Sequence, residues 1–331
     1  MPSGAHLSLI RLRLALRMSR RTFVVVACAA AVAALAWRFG PRPADVLAAL
    51  GNLEPRLVAL AVVVNAAAVA VRAEAWRRLL RHAGGAVPPR AIDTTSAYAV
   101  GLLTNLILPA RVGEVARVAV LRRRLDAGGP PWQAVAGSVI GHRLLDVVPF
   151  SLLVASVLVT GGPAATGGPV VLGIVVGVLA AVGIAAALAR RRAGRLLVGL
   201  RAGLAGLGDM RVAAGAVALE TVAWIGQLAV VWISLVALGA GAASLASAAL
   251  VLVAINLAVA LPALPGGVGL FQAATAAALA AQGLSAASGV AFGVGLQGIE
   301  ILTTLAIGLP FALREGLDGR RSPLARLRIA G

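Results

Sequence analysis

Six apolar runs, each close to the length that a helix needs to cross a lipid bilayer, constrain the fold of this chain most strongly. A bilayer core about 30 Å thick requires roughly 20 mainly apolar residues in a helix. Of the 331 residues, 60% are hydrophobic and 13% are charged. The runs lie near residues 22–38, 56–76, 133–160, 169–189, 212–238 and 287–312. The sequence therefore predicts an all-α, polytopic membrane protein that forms a single integral membrane domain over residues 1–331.

Two further apolar regions, near residues 93–121 and 245–283, contain the same short pattern, Leu-Pro-x-x-Val-Gly. It begins at Leu108 and again at Leu264, 156 residues later. Proline and glycine interrupt a helix and free backbone N–H and C=O groups. At membrane depth, such groups are tolerated only inside protein or beside a wet cavity. Paired interruptions in two halves of a chain therefore point to a transporter-like binding site.

The distribution of arginine predicts the topology, because cytoplasmic loops of membrane proteins are enriched in basic residues. All 30 basic residues are arginine, and 25 of them fall in five segments. These segments are residues 1–21, 77–90, 111–124, 190–211 and 313–331. We expect all five to be cytoplasmic, so that residues 1–21 form a basic cytoplasmic N-terminus and residues 313–331 a cytoplasmic tail.

Both regions with the repeated pattern then begin and end on one side of the membrane. Residues 93–121 are expected to enter and return from the cytoplasm, and residues 245–283 from outside. The predicted fold is six full transmembrane helices plus two re-entrant hairpins, arranged as an inverted repeat of two halves. The halves are residues 22–160 and 169–312.

The first hairpin carries charged residues at helical spacing. Arg111, Glu114 and Arg117 are three residues apart and share one face of a helix after the break. Paired guanidinium groups match a phosphate headgroup, and Glu114 would orient one of them. The alternative is an amphipathic cytoplasmic helix whose charges are solvated. Asn105, one turn before Pro109, is expected to satisfy a freed carbonyl group or to contact substrate. The candidate substrate-binding residues here are Asn105, Pro109, Arg111, Gly113, Glu114 and Arg117.

The second hairpin has no charge but is rich in proline and glycine. If a helix begins near Val268, its free N–H groups and positive dipole end attract phosphate. The alternative is a kink that lets two helices pack closely. The candidate substrate-binding residues here are Pro265, Gly266, Gly267 and Gly269.

Ionisable residues inside apolar runs are the remaining signal, because charges are costly at membrane depth. The predicted network comprises His142, Arg143, Asp146 and Glu300. Arg143 and Asp146, three residues apart, can form an ion pair that explains both structurally. Glu300 has no basic residue within one helical turn. It therefore requires a partner across the bundle, such as Arg143 or Arg72, or it is protonated.

Several classes of function are disfavoured by residue usage. The three histidines are scattered, one cysteine is present, and the absence of lysine excludes P-loop ATPase and Schiff-base chemistry. We therefore expect no metal, no cofactor and no enzymatic activity. The formal net charge of +18 is attributed to the cytoplasmic loops rather than to nucleic-acid binding.

At these motifs the chain resembles the lysylphosphatidylglycerol synthase transmembrane, or flippase-like, family. The similarity lies in Asn105-x-x-x-Pro-x-Arg-x-Gly-Glu-x-x-Arg117, Arg143-Leu-Leu-Asp146 and Leu261-Pro-x-x-Pro-Gly-Gly-x-Gly269. The resemblance implies a multi-pass bacterial cell-membrane protein that moves or presents anionic or polyprenyl-linked lipids. The chain departs from the family pattern at three positions: His142 replaces a usual Glu, Gln272 lies near another usual Glu, and Glu300 lies near a common Arg.

The leading functional hypothesis is a lipid translocator that moves an anionic phospholipid or a polyprenyl-phosphate-linked lipid between leaflets. The runner-up is a non-transporting accessory protein that presents a polyprenyl-linked lipid to a glycosyltransferase, which would then be a partner. A third hypothesis is a non-transporting scaffold. The inverted repeat favours the first, since alternating access uses such symmetry.

Overall fold

The computed structural model describes residues 54–108, 112–125, 128–159, 194–237, 243–260 and 267–318, with isolated positions between 44 and 51. The chain divides into two units, Met1–Pro43 and Ala44–Gly331, and every described residue belongs to the second. The runs predicted near residues 22–38 and 169–189 lie outside the described residues, as do Pro109, Arg111, Pro265 and Gly266.

Within these ranges the regular structure is entirely helical. The helices, in chain order, are α1 (Pro55–Leu80), α2 (Ala91–Ile107), α3 (Gly113–Leu125), α4 (Trp132–Val159), α5 (Gly194–Gly203), α6 (Ala205–Gly208), α7 (Met210–Ala237), α8 (Leu245–Ala260), α9 (Leu270–Ala280) and α10 (Ala286–Asp318).

Four of these helices are long and apolar enough to cross a membrane, namely α1, α4, α7 and α10. They coincide with four of the six predicted runs. The shortest of them, α1, has 26 residues and is about 39 Å long at 1.5 Å per residue. Pro55 occupies its first turn, where a missing N–H costs nothing. The length of these helices confirms the prediction of an all-helical membrane protein.

Both Leu-Pro-x-x-Val-Gly patterns lie between helices, as their proline and glycine content predicts. α2 ends at Ile107 and α3 begins at Gly113, while α8 ends at Ala260 and α9 begins at Leu270. Gly269, immediately before α9, has φ of 87°. A side chain at that left-handed backbone position would be strained, so glycine is required there. Each pattern therefore divides an apolar region into a pair of short helices.

α1 and α7 form the antiparallel centre of the bundle. Side-chain contacts join Arg72 to Glu220 and Asn65 to Gln227, so that a step of seven residues up α1 matches a step of seven down α7. At one end of the pair, the Glu54 N–H donates to the Ala237 carbonyl oxygen. α10 runs parallel to α1, because Thr303 contacts Asn65 and Phe292 lies with Val58 around one small cavity.

The two pairs of short helices enter the bundle from opposite ends. At the end where α10 finishes, Arg124 donates to Asp93 at the start of α2 and to Glu315 of α10. The outer ends of α2 and α3 therefore lie together. At the other end, Ser247 near the start of α8 donates to Gln282 just after α9. Each pair is thus a helical hairpin whose outer ends lie together at one end of the bundle.

Each hairpin packs against its own apolar core. One core is formed by α1, α7, α8, α9 and α10, with Ala61, Leu252 and Phe292 among its buried residues. The other is formed by α1, α2, α3 and α4, and includes Trp76 and Leu121. α1 contributes residues to both cores, so it connects the core beside the first hairpin to the core beside the second.

A buried charge cluster at the first helix break

The tip of the first hairpin is fixed by glycine packing and one side-chain cap. The Gly113 N–H, which begins α3, donates to Asn105 Oδ1 at 2.7 Å. Asn105 thus satisfies a freed N–H, whereas the sequence suggested a freed carbonyl group or a contact with substrate. A Cβ at Gly113 would lie 2.1 Å from the Gly101 carbonyl oxygen. The two helices therefore approach more closely at the break than any residue with a side chain permits.

Glu114, the second residue of α3, bridges two guanidinium groups. Arg143 of α4 donates to Glu114 Oε1 from Nε at 3.1 Å and also from Nη2. Arg117 Nη1 lies 3.4 Å from Glu114 Oε2. Burial raises the pKa of Glu114, but the charges of Arg117 and Arg143 outweigh it and hold that pKa below its usual value. The carboxylate is therefore ionised and stands where an anionic group can contact both arginines.

Arg117 is the most unusual side chain of the site. It has no exposed surface, and its guanidinium carbon lies 3.6 Å from the centre of the Tyr98 ring. None of its three guanidinium nitrogens has a hydrogen-bond acceptor within the described part of the chain. A buried donor without an acceptor costs about 1–3 kcal/mol, and more when it is charged. The alternative of a solvated helix face is therefore wrong for Arg117, whose guanidinium group is buried and has only the Glu114 carboxylate, 3.4 Å away, as a partner of opposite charge among the described residues.

Arg143 and Asp146 form the ion pair that their spacing predicts, with Arg143 Nη1 3.2 Å from Asp146 Oδ2. The other carboxylate oxygen of Asp146 accepts from the Trp224 indole N–H at 3.2 Å. The Arg143 side chain is 39% exposed, so this residue forms the accessible edge of the cluster. The pair thus links the first hairpin to α7.

A second layer of the cluster lies behind this edge and includes Glu220, which the predicted charge network left out. His142 Nε2 lies 2.6 Å from Glu220 Oε1, and both side chains are fully buried. The same ring nitrogen lies 3.2 Å from the Arg72 carbonyl oxygen, and Arg72 Nε lies 4.0 Å from Glu220 Oε2. The only signal for Glu220 was an acidic residue inside an apolar run.

Among the described residues, Glu300 forms no direct ion pair. It lies near the neutral side chain of Asn65 and within electrostatic range of Arg72. Asn65 also donates to Thr303 at 3.2 Å and accepts from Gln227 at 2.9 Å. Of the two expected cationic partners, Arg72 is thus the one that α1 places near Glu300.

The second break is fixed by amide side chains. The Gly269 N–H donates to Gln272 Oε1 at 2.8 Å, and Gln272 Nε2 donates to Gln297 Oε1 at 2.5 Å. Gln272 thereby caps the first turn of α9 and connects it to α10. The structure does not reproduce the chemistry of the first break here, because amides take the place of guanidinium and carboxylate groups. Gly267 lies in a tight turn before α9, with φ of 70°.

An apolar cleft adjoins the charge cluster between α4 and α7. Its volume is about 210 Å³, and Trp224 lines it while donating to Asp146. Pro149 interrupts the hydrogen bonding of α4 beside it. The other lining residues are Leu152, Leu153, Thr221, Ile225 and Leu228. Polar and apolar surfaces therefore meet at Trp224.

These features define an all-helical membrane protein with broken helices around buried, paired charges. The chain belongs to the family of the lysylphosphatidylglycerol synthase transmembrane region, whose model matches residues 23–308. The family resemblance of the sequence motifs is thus confirmed.

One curated relative is a protein from Haloferax volcanii described as glycosyltransferase AglD. It is 30% identical over 151 residues, which are 44% of this chain and 23% of the relative. The chain therefore matches less than a quarter of that protein's length. No solved structure matches the chain significantly.

Proposed function

We propose that this protein is a lipid translocator of the bacterial cell membrane, and not an enzyme. Its substrate would be a phospholipid with an anionic headgroup or a polyprenyl-phosphate-linked lipid. Family membership and the similarity to a glycosyltransferase both support a function connected with membrane lipids. The observation that carries the proposal is the buried guanidinium group of Arg117, whose nitrogens form no well-aligned hydrogen bond in the described ranges although Glu114 lies 3.4 Å away.

The geometry around Glu114 supports binding of phosphate. Its carboxylate contacts Arg117 and Arg143 at the same time. A phosphate group carries more acceptor oxygens than a carboxylate and pairs with guanidinium donors in the same fork arrangement. A headgroup that enters at the exposed edge of Arg143 would displace Glu114 and supply the acceptors that Arg117 lacks.

The apolar cleft at Trp224 supports an amphipathic ligand rather than free phosphate. The indole ring lines the cleft, its N–H contacts Asp146, and the Arg72 guanidinium lies 5.3 Å from its ring centre. A hydrocarbon tail in the cleft and a phosphate at Arg143 would therefore belong to one molecule. The arginines in the loops at the end with Arg124 support entry from the cytoplasmic side, because cytoplasmic loops are enriched in basic residues.

Opposed hairpins support movement across the membrane. The first hairpin enters from the end with Arg124 and the second from the end with Gln282. Together with the repeat of the Leu-Pro-x-x-Val-Gly pattern, this favours six crossings and two re-entrant hairpins in an inverted repeat. Such symmetry allows two halves to rock about a fixed central site and expose it alternately.

Translocation is tested by reconstituting the full chain into vesicles that contain fluorescently labelled phosphatidylglycerol or labelled polyprenyl phosphate. Labelled phosphatidylcholine serves as the neutral comparison, and glycerol phosphate as a competitor without tails. Arg117→Gln removes the charge-assisted contacts, which are worth about 1.5–3 kcal/mol. We expect it to slow appearance of the label in the opposite leaflet by about tenfold or more.

Arg124→Gln is the comparison variant, because it removes another ion-paired arginine of the first hairpin, 20% exposed, whose partners lie at the end of the bundle. It should retain translocation if the protein folds. Absence of translocation for every lipid, or equal rates for Arg117→Gln and the parent, would refute the proposal.

The similarity to a glycosyltransferase favours one second candidate, an accessory protein that presents a polyprenyl-linked lipid to such an enzyme. In that case the same vesicles would bind labelled polyprenyl phosphate in an Arg117-dependent way without moving it. An added glycosyltransferase would then transfer sugar to the lipid faster in the presence of the protein.

A further inference from the structure

The contacts of Glu114 show how much a single carboxylate can satisfy at the first break. Its Oε1 accepts from both Nε and Nη2 of Arg143. Its Oε2 lies 3.4 Å from Arg117 Nη1, yet neither of these two atoms forms a well-aligned hydrogen bond within the described residues. One negative charge spread over two oxygens is therefore too little for two guanidinium groups, each of which carries a planar fork of donors.

Arg117 is held in place by contacts that do not use its donors. Its guanidinium carbon lies 3.6 Å from the centre of the Tyr98 ring and 6.0 Å from that of Trp76. Ring faces attract the positive charge, while the N–H groups lie in the guanidinium plane and still require acceptors. A Cβ at Gly101 would lie 2.6 Å from Arg117 Cγ, so the stem of the side chain is packed against the α2 backbone. These contacts fix the guanidinium group beside Glu114.

Lipid phosphates of two kinds differ in what they offer these donors. A phosphodiester, as in phosphatidylglycerol, carries one charge over two unsubstituted oxygens, as the Glu114 carboxylate does. A phosphomonoester has three unsubstituted oxygens and a charge of about −1.5 to −2 at pH 7. Two of its oxygens can pair with Nε and Nη2 of Arg143, and the third can accept from Arg117. Only a terminal phosphate therefore supplies more charge and more acceptors than the carboxylate that it displaces.

We propose that the site formed by Arg117 and Arg143 selects lipids that end in a phosphomonoester over lipids whose phosphate is a diester. Phosphatidic acid and polyprenyl phosphate are two lipids of this class. The inference rests on the proposed function and names the chemical class of its substrate. The terminal phosphate takes the place of the Glu114 carboxylate, and its one esterified oxygen is directed toward the apolar cleft at Trp224. Arg143, whose side chain is 39% exposed, is the first residue that the phosphate contacts.

Selectivity is measured by displacement of fluorescent phosphatidic acid from the purified full chain in uncharged detergent micelles. The competitors are phosphatidic acid and phosphatidylglycerol with the same acyl chains, polyprenyl phosphate, and inorganic phosphate. At about pH 8, where a phosphomonoester is almost fully dianionic, we expect both terminal phosphates to bind about tenfold or more tightly than phosphatidylglycerol. Inorganic phosphate should displace the probe far less well, and displacement at equal concentrations would overturn the assignment to a lipid.

The pH dependence of this selectivity provides a readout that needs no variant. Below its second pKa of about 6, a phosphomonoester has the same single charge as a diester. The ratio of the two affinities should therefore fall by up to about tenfold for each unit of decreasing pH below that value, and should be constant above about pH 7. Titration of the protein acts on both lipids and cancels in the ratio. The ionisable residues around the site are Arg72 of α1, Tyr98 of α2, Glu114 and Arg117 of α3, His142, Arg143 and Asp146 of α4, Glu220 of α7 and Glu300 of α10.

Arg117→Gln tests which residue recognises the third oxygen. The affinity for phosphatidic acid should fall about tenfold more than that for phosphatidylglycerol, which brings their ratio close to one. A merely structural loss would weaken both lipids alike and leave the ratio unchanged. Arg124→Gln is the comparison variant, because its ion pairs with Asp93 and Glu315 lie at the end of the bundle, and it should keep the ratio of the parent protein. An unchanged ratio in Arg117→Gln would overturn the assignment.

The two proposals fail in distinguishable ways. If phosphatidylglycerol and phosphatidic acid bind equally at about pH 8, or if their ratio does not change with pH, the selectivity is wrong while lipid translocation stands. If neither lipid binds to the parent protein, the proposed function is wrong and the selectivity falls with it.

Discussion

The contact between Gly101 and the first break yields the most direct test of the site. In Gly101→Ala, the new Cβ would lie 2.6 Å from Arg117 Cγ and 2.9 Å from the Gly113 carbonyl oxygen. One of these neighbours is backbone, which cannot move without shifting α3. Overpacking of this kind costs about 1–3 kcal/mol. We therefore expect Arg117 to be displaced and the hairpin to be destabilised.

A substitution at Gly298 separates the cost of overpacking from the intrinsic helix preference of alanine. A methyl group added at Gly298, inside α10, would have no neighbouring atom within 4 Å. Gly298→Ala therefore reports only the intrinsic helix preference of alanine, a gain of about 0.8–1 kcal/mol. The change in stability of Gly101→Ala is the sum of the same gain in helix preference and the cost of the overpacked methyl group. The difference in free energy of unfolding between the two variants should therefore be about 1–3 kcal/mol, with Gly101→Ala the less stable.

The assay is reversible unfolding in mixed micelles, followed by far-ultraviolet circular dichroism, combined with binding of phosphatidylglycerol. Gly101→Ala should lose both stability and lipid affinity, and Gly298→Ala neither. Equal stability of the two variants would show that α2 and α3 are not in close contact at Gly101, and the placement of Arg117 would have to be abandoned.

Two further predictions concern the same region. The folded-state pKa of Glu114 is lowered from 4.5, so its carboxylate contributes stability above about pH 4.5 that is lost as the pH falls below that value. The free energy of unfolding of Glu114→Gln should therefore change less with pH in that range than that of the parent protein. An equal pH dependence of the two proteins would contradict the contacts of Glu114 with Arg117 and Arg143. Trp76→Phe removes the indole N–H that donates to buried Ser138 Oγ at 3.0 Å and should lower the free energy of unfolding by about 1–3 kcal/mol. Adding Ser138→Ala should recover part of that loss in the same unfolding assay.

Short-range spacing predicted a good part of this site. Proline and glycine located both helix breaks, and the three-residue spacing within α3 and α4 predicted the contacts of Glu114 with Arg117 and of Arg143 with Asp146. These features depend only on helix geometry, which a sequence displays directly.

Contacts between helices were less accessible from the sequence. α7 is apolar on nearly all sides, so no pattern shows which way Glu220 faces or that it meets His142. The stacking of Arg117 on Tyr98 joins residues of different helices and has no local signal. Asn105 accepts from a freed N–H rather than donating to a freed carbonyl group. This contact likewise depends on how closely Gly101 and Gly113 let the backbones of α2 and α3 approach.

The polar contacts between α1 and α7 limit how the bundle can change shape. Arg72 with Glu220 and Asn65 with Gln227 occur at matching steps along two antiparallel helices. A slide of one helical turn, about 5.4 Å, would separate both pairs at once and leave their buried polar groups without these partners. These two contacts fix the register of α1 against α7, so the two helices move as one rigid body. The hydrogen bond from Asn65 to Thr303 ties α10 to the same pair, so the three helices share one polar connection at this level of the bundle.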